Sequence, residues 1–591
     1  MRWALFGLVL PLVAALQVRH ASDGVLGLEA TVEDNGRDGG YSISFKLTNQ
    51  GSAKTDMAVL ESPDLHLWNL SADTSLNCPQ IGPSSLNIRC EAHDVDPGTL
   101  QARWRVSVKP VDPWATNLEL PVNLTTFAKD PATGQLEQTG QRSQTIKWTT
   151  LRYRQADAST FPQPRTITVS ALPDSEDERA RLRQVFQWAD FVSTGFYLNP
   201  KMPLTVTVAG LSDEATNPEI LVGTPGLMDP RDPNKEMAAY LVASWSLYNG
   251  QNTVSNLDGG ILYIRYTYLA GQAQDHPPVN VTLEGDAAQK FPLFRQGATT
   301  DAEWLAMLAA TTVPFAEVEG ARVIITGFAE DAWAAARGHQ KNQQGLLDTY
   351  KDIIAAMDAI SGLDANAPDA RDRPSPLRPI VVWAKREGGS IADAWDNRVA
   401  IRAPPAGIMW DQSLLSTSSV MWHEFGHQRQ HTATWSWESL NQVTVGIYAL
   451  AARRLFPDFP YVDGIIEPQV ADNKGTVQNW DKAKASLTRG IQNFDESEEI
   501  TQLIMFEQLR VVFGDGFYHE LHRRSRRDPG QSGDAAKKHY FMTRAAEIAQ
   551  TDLGAYFTKW GLHPEQRTMD DMAKRPKTTE DYTTRPVFGG T

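Results

Sequence analysis

At 591 residues the chain is too long for a single hydrophobic core, so several domains are expected. Apolar residues make up 41%, with 17 Trp, 21 Phe and 15 Tyr, which excludes a chain disordered throughout. A formal net charge of −15 and a pI near 5.3 argue against a nucleic-acid binder, which needs a basic footprint on phosphate.

Met1 and Arg2 lead into an uncharged apolar run, residues 4–16. It is shorter than the roughly twenty residues of a membrane-spanning helix. Small residues at Val13 and Ala15 suit a cleavage site, so residues 1–15 are expected to be a signal peptide. The alternative is a buried strand or helix of the first domain. A leader implies a secreted, periplasmic or cell-surface protein with no transmembrane segment. In that setting Cys78 and Cys90, the only 2 cysteines, are expected to form one local disulfide, a free buried pair being the alternative. Asn69, Asn123 and Asn280 each begin an Asn-x-Ser/Thr triplet, which matters only in a eukaryotic secretory pathway.

Alternation dominates the first hundred residues. Leu26, Leu28, Ala30 and Val32, then Tyr41, Ile43, Phe45 and Leu47, are separated by turn residues around Asn35-Gly36 and Asp38-Gly39-Gly40. Leu65 and Leu67, and Trp104, Val106 and Val108, repeat the pattern. An immunoglobulin-like sandwich over residues 20–112 is expected, with residues 113–164 a linker holding extra strands. From 165 to 295 the text stays β-rich, with strand-like stretches at 166–170, 204–208 and 260–266. Residues 296–562 read as mainly helical. Leu346, Leu347, Tyr350, Ile353, Ile354, Met357 and Ile360 keep a period of 3.6, as do Leu503, Ile504, Phe506 and Leu509. Arg523, Arg524, Arg526 and Arg527 read as a solvated helix end that offsets the dipole. Residues 563–591 read as a polar C-terminal tail. The expected fold class is therefore multidomain α+β.

Chemistry concentrates at His423-Glu424-Phe425-Gly426-His427. Positions four apart share a helix face, so both imidazoles can reach one Zn²⁺, and Glu424 beside the first is placed to act as general base on a metal-bound water. Asp411 and Ser413 offer caps, with Leu414, Leu415, Ser418 and Met421 at helical spacing, so a helix leads into the motif. Gly426 inside that helix hints at close backbone packing, since glycine there costs about 1 kcal/mol relative to alanine. A third ligand is required. His431 would lie a further turn away, and Glu438 is favoured on chemistry as the nearest downstream carboxylate. Trp435 and Trp437 read either as core or as an aromatic wall for a sugar or peptide.

Longer stretches carry a resemblance. His423 to Gln430 (HEFGHQRQ), Trp435-Ser436-Trp437 and the run Val443 to Tyr448 (VTVGIY) are similar to the enhancin-like, mucin-degrading zinc metallopeptidases. So are STGFYLNP at 193–200, NGQNT at 249–253 and Phe506-Glu507-Gln508-Leu509. The resemblance spans about 165–560. It implies a β-rich then helical, zincin-like peptidase module, a zinc cofactor and O-glycosylated protein substrates such as mucins. It also implies a third ligand, a Glu directly before a Val-Thr pair, where this chain has Gln442; the next polar position of the family is Gly446 here. Three readings follow: Gln442 is a weak metal ligand, Glu438 takes the place, or the protein is a catalytically weakened glycan or mucin binder. An unrelated zincin of broad peptide specificity is a further alternative.

Overall fold

Alternating apolar residues do build the N-terminal strands, and the computed structural model shows their pairing. It describes residues 12–19, 25–34, 41–62, 68–71, 88–98, 100–110, 117–149, 160–212, 215–223, 228–229, 232–236, 243–269, 276–384, 391–402, 407–456 and 475–587. Two compact units emerge, one built on Met1–Asp157 and the other on most of the remainder.

In the first unit, one antiparallel sheet runs Leu12–Arg19, Val25–Asp34, Tyr41–Asn49, Leu100–Pro110 and Trp68–Ser71 from edge to edge. The second runs Ile88–Val95, Thr55–Ser62, Asn117–Lys129 and Leu136–Thr149. Inward residues of both sheets, among them Leu28, Phe45, Trp104, Leu60, Leu120 and Ile146, share one buried core. Period-two patterning sends every second side chain to that core, which is how so regular an alternation specifies a sandwich. The sandwich reaches Thr149, so residues 113–164 are not chiefly a linker: they supply two of its longest strands, paired from Asn117↔Thr149 to Lys129↔Leu136. Part of the expected leader is the edge strand Leu12–Arg19, paired with Val25–Asp34 from Leu12↔Val32 to Arg19↔Val25. Cys90 is buried and is not a free thiol; Cys78, Leu65 and Leu67 lie outside the described residues.

The second unit begins with a β-rich part. A four-stranded sheet (Thr166–Val169, Val279–Glu284, Leu204–Ala209, Gly250–Val254) and a five-stranded sheet (Ala243–Ser246, Glu219–Gly223, Gly260–Arg265, Phe191–Leu198, Ala288–Lys290) bury Val206, Leu204, Phe196, Leu262 and Ile264 in a common core. A six-stranded mixed sheet follows. Its strands are β1 (Leu293–Arg295), β2 (Phe315–Glu319), β3 (Ile324–Phe328), β4 (Ile380–Trp383), β5 (Ala392–Trp395) and β6 (Arg398–Ile401), in the spatial order β1-β2-β3-β4-β6-β5. The short strand β5 is therefore an edge.

Helices complete the unit: α1 (Gln343–Ile360), α2 (Ser419–His427), α3 (Val445–Arg453), α4 (Glu499–Phe513), α5 (Gly516–Arg527) and α6 (Asp534–Ala549). The stripe expected on α1, from Leu346 to Ile360, is buried throughout. The arginine run at the end of α5 is less solvated than expected. Arg526 is buried, pairs with Asp372 at 2.8 Å and donates to the Ser361 carbonyl at 2.9 Å, so this helix end is pinned by buried ion pairs. Nor is the C-terminal segment merely peripheral: Gln508 of α4 donates to the carbonyls of Thr583 and Arg585 at 3.1 and 2.8 Å, and Val587 is buried. Among the described residues, no helix is long and apolar enough to cross a membrane.

A buried carboxyl joins the β-rich part to the mixed sheet. Glu317 on β2 accepts hydrogen bonds from Tyr263 Oη at 2.9 Å, from Thr326 Oγ1 at 2.8 Å and from Ser193 Oγ. Burial raises its pKa to about 7 despite those hydroxyls. Its folded pKa lies above the ordinary 4.5, so its contribution to stability is complete below about pH 4.5 and is lost as pH rises through about 7. Chemical denaturation across that range is expected to show a loss on the order of 3 kcal/mol from this group in the wild type, and a flatter profile for Glu317→Gln.

Candidate metal centre

Two helices, not one, lead into the histidine pair. Asp411 caps a short helix, Gln412–Thr417, by accepting from the backbone N–H of Ser413 and Leu414 at 2.7 and 3.1 Å. Ser418 then adopts an extended conformation and accepts from Val420 N–H, starting α2. The expected continuous helix fails because a serine whose hydroxyl can serve the next orphan N–H favours a fresh start over continuation.

On α2 the imidazoles of His423 and His427 lie with ring centroids 4.7 Å apart, edge to face. Facing them is Gln442, in the segment just before α3. Its Oε1 is 2.9 Å from His423 Nε2. Two imidazoles and one amide therefore converge. Burial drives His423 down to about 4, with His427 nearby adding to the effect, and burial also lowers His427, so both rings are neutral at physiological pH.

Glu424 lies on another flank of α2, buried, with the Asp393 carboxylate of edge strand β5 as its charged neighbour. Burial first, then Asp393, raises its pKa to about 8. Asp393 is itself paired with the Arg402 guanidinium. Sequence reasoning missed Asp393, since nothing in an isolated Ala-Asp-Ala-Trp stretch announces that it will lie beside a helix thirty positions downstream.

The supports of α2 are also tertiary. A Cβ at Gly426 would meet the Val445 carbonyl oxygen at 2.7 Å, so α2 and α3 touch backbone to backbone, as the glycine suggested. A Cβ at Gly446 already meets Leu503 of α4 at 2.5 Å, which leaves no room there for a longer polar side chain. Just past α2, buried Arg429 donates to the Phe425 carbonyl at 3.0 Å and reaches Asp358 of α1 at 3.4 Å, with Trp188 stacked 4.7 Å from its guanidinium. His431 lies away from the pair, as expected, with Nδ1 2.6 Å from Ser525 Oγ.

Two expectations need correction. Glu438 is exposed at the start of a 3₁₀ turn, Glu438–Leu440, and among the described residues no three His, Cys, Asp or Glu side chains come together as a metal-binding group. It therefore does not join His423 and His427. The backbone turn that follows carries Gln442 toward them instead. Trp435 and Trp437 form no wall: they are 0% and 1% exposed and pack on Phe506 and Phe541. Trp437 Nε1 donates to Asp495 at 2.8 Å. Their large apolar area belongs to the helical core.

Residues 287–561 match the family described as peptidase M60, enhancin and enhancin-like, and residues 173–282 match the N-terminal domain of M60-like peptidases. Both descriptions fall mainly on residues of the second unit and are of M60-type peptidases. The chain belongs to the enhancin-like M60 family. Among solved structures, a conserved protein of unknown function from Bacillus anthracis str. Ames is similar at 24% identity and a TM-score of 0.60, over 71% of this chain and 80% of that one. The catalytic module of the metalloprotease ZmpA from Clostridium perfringens is similar at 16% and 0.58, over 71% and 81%. A metallopeptidase solved in complex with Tn antigen is similar at 15% and 0.57, over 71% and 79%. At such identities the likeness is one of fold. No curated protein matches the sequence.

Gly426→Ala is expected to cost about 1–3 kcal/mol by forcing α2 off Val445. Equilibrium denaturation would register this, and a loss smaller than 0.5 kcal/mol would contradict the close approach. Trp435→Ala is expected to lower stability by about 3–5 kcal/mol, as for a core aromatic; a fully stable variant impaired only in substrate binding would restore the wall.

Proposed function

We propose that this protein is an exported zinc-dependent endopeptidase that cleaves O-glycosylated, mucin-like proteins. The observation that carries the reading is the buried His423–His427 pair on α2 with the Gln442 amide held against it; Glu424 is the next residue on that helix. Family membership supports metallopeptidase chemistry, and a solved relative in complex with Tn antigen supports a glycosylated substrate.

The donor chemistry fits zinc. Neutral imidazoles and an amide oxygen are acceptable ligands of a borderline-soft cation, and two imidazole donors are the recurring core of such sites. The set is uncharged, so metal is held less tightly than by two histidines and a carboxylate. His423, His427 and Gln442 would hold the ion, which would acidify a bound water and polarise the scissile carbonyl.

This chain's own residues account for the proton traffic. His423 and His427 are kept neutral by burial, so neither must first release a proton to solvent; the hydrogen bond between His423 Nε2 and Gln442 Oε1 would be exchanged for a ligand bond. Glu424 accepts a proton from the attacking water and returns it to the leaving amine. Its pKa near 8 without a cation means it starts protonated at neutral pH. The ionised form needed for the first transfer is the one a neighbouring cation favours. We read the N-terminal sandwich as an immunoglobulin-like module placed outside the cell with the rest of the chain.

The second reading is a weakened glycan or mucin binder, and Gln442 favours it, because an amide already hydrogen-bonded to His423 competes with metal. Calorimetric zinc titration and a mucin-cleavage assay separate the two. Wild type is expected to bind about one zinc and to cleave in a chelator-sensitive way. Glu424→Ala is expected to abolish cleavage while leaving zinc bound. Gln442→Glu should tighten zinc at least tenfold, and Glu438→Ala should change neither readout. Mucin binding that survives chelation and Glu424→Ala, with no proteolysis by wild type, would select the binder.

A further inference from the structure

Gln430 lies three residues after His427 and is almost wholly buried, at 1% exposed. Its amide makes three contacts that leave no freedom of orientation. Nε2 lies 2.8 Å from the Asn441 carbonyl oxygen and 2.7 Å from Thr444 Oγ1, while Oε1 lies 2.9 Å from His427 Nδ1.

A backbone carbonyl can only accept, so the group facing Asn441 must be the NH₂. The group facing His427 is then the amide oxygen, which also only accepts. His427 Nδ1 must therefore carry the proton. The other nitrogen, Nε2, is left with its lone pair. Thr444 agrees with this direction: its hydroxyl accepts from Gln430 and donates to the Leu440 carbonyl at 3.2 Å, and Ser436 lies 2.8 Å away as a further partner.

We propose that Gln430 is a positioning residue that sets the Nδ1–H tautomer of His427 and, through Asn441, holds the neighbouring Gln442 against α2, so that the donor atoms are arranged before any ligand arrives. The role of that arrangement rests on the peptidase reading; the tautomer itself does not. Tying two otherwise separate donors to one amide lowers the reorganisation needed on binding, and loss of such an outer contact typically costs 10–100-fold in metal affinity. This chain has particular use for it, because its third donor is a neutral amide that brings no Coulombic attraction of its own.

Long-range ¹H–¹⁵N spectra of the full-length, metal-free protein with labelled histidine read the tautomer directly. Wild-type His427 is expected to be a single Nδ1–H species. Gln430→Leu removes the acceptor and should give a mixed tautomer with a 10–100-fold weaker zinc affinity by calorimetry. Gln430→Glu keeps an acceptor and should keep the Nδ1–H species, as should Thr444→Val, because Asn441 still orients the amide. A merely structural role would lower stability without moving the tautomer. An Nε2–H species in wild type, or Gln430→Leu with wild-type tautomer and affinity, overturns the proposal. Should Gln430→Leu not fold, the wild-type, Gln430→Glu and Thr444→Val spectra still decide it. A wild type with the expected tautomer that binds no zinc would sink the peptidase reading and leave the tautomer assignment intact.

Discussion

The whole site depends on how near α2 can come to the backbone at Val445. Gly426 allows contact with that carbonyl, and only at this separation can a side chain from position 442 reach imidazoles on the neighbouring helix. Gly446 extends the same close packing to Leu503 on α4. Three helices are thereby stacked with almost no slack, and Arg429 ties the far end of α2 to Asp358 on α1. Two glycines and one buried ion pair hold the geometry on which the histidine pair relies.

Burial then determines the charge state of the centre. Both imidazoles are kept neutral, and burial, with Asp393 nearby, raises the Glu424 carboxyl to about 8. In many zinc sites an anionic ligand offsets part of the ion's charge; on the proposed reading that position would be an amide here. Electrostatic attraction for metal would then be smaller, and geometry would have to supply more of the affinity. Gln430 is a fully satisfied buried amide in this setting, tied to His427, to the Asn441 carbonyl and to Thr444.

The same logic of satisfied buried polarity recurs away from the centre. Glu317 is shared among hydroxyls from three strands, and Asp372 gathers the arginines of α5. Each joins elements distant in sequence. Such groups lend specificity to the packing of the second unit, because any alternative arrangement would leave a buried charge without partners.

Periodicities made much of this readable from sequence. Alternation in the first 110 residues reports strands because a pleated strand buries every second side chain, and the stripe on α1 reports a helix for the corresponding reason. His423, Glu424 and His427 were legible because their relation is local, set by one turn of helix. The sandwich's extension to Thr149 was less clear, since polar residues alternate with few apolar ones in Leu136–Thr149. The outcome at Glu438, Trp435 and Trp437 was decided only by tertiary structure. Whether a carboxylate faces the histidines, or an indole faces solvent, depends on how a turn between two helices is folded, and no local pattern encodes that direction. Asp393 and Gln430 belong to the same class: their partners come from another strand or from the far side of a turn, so sequence determined which chemistry was present and the fold determined which groups meet.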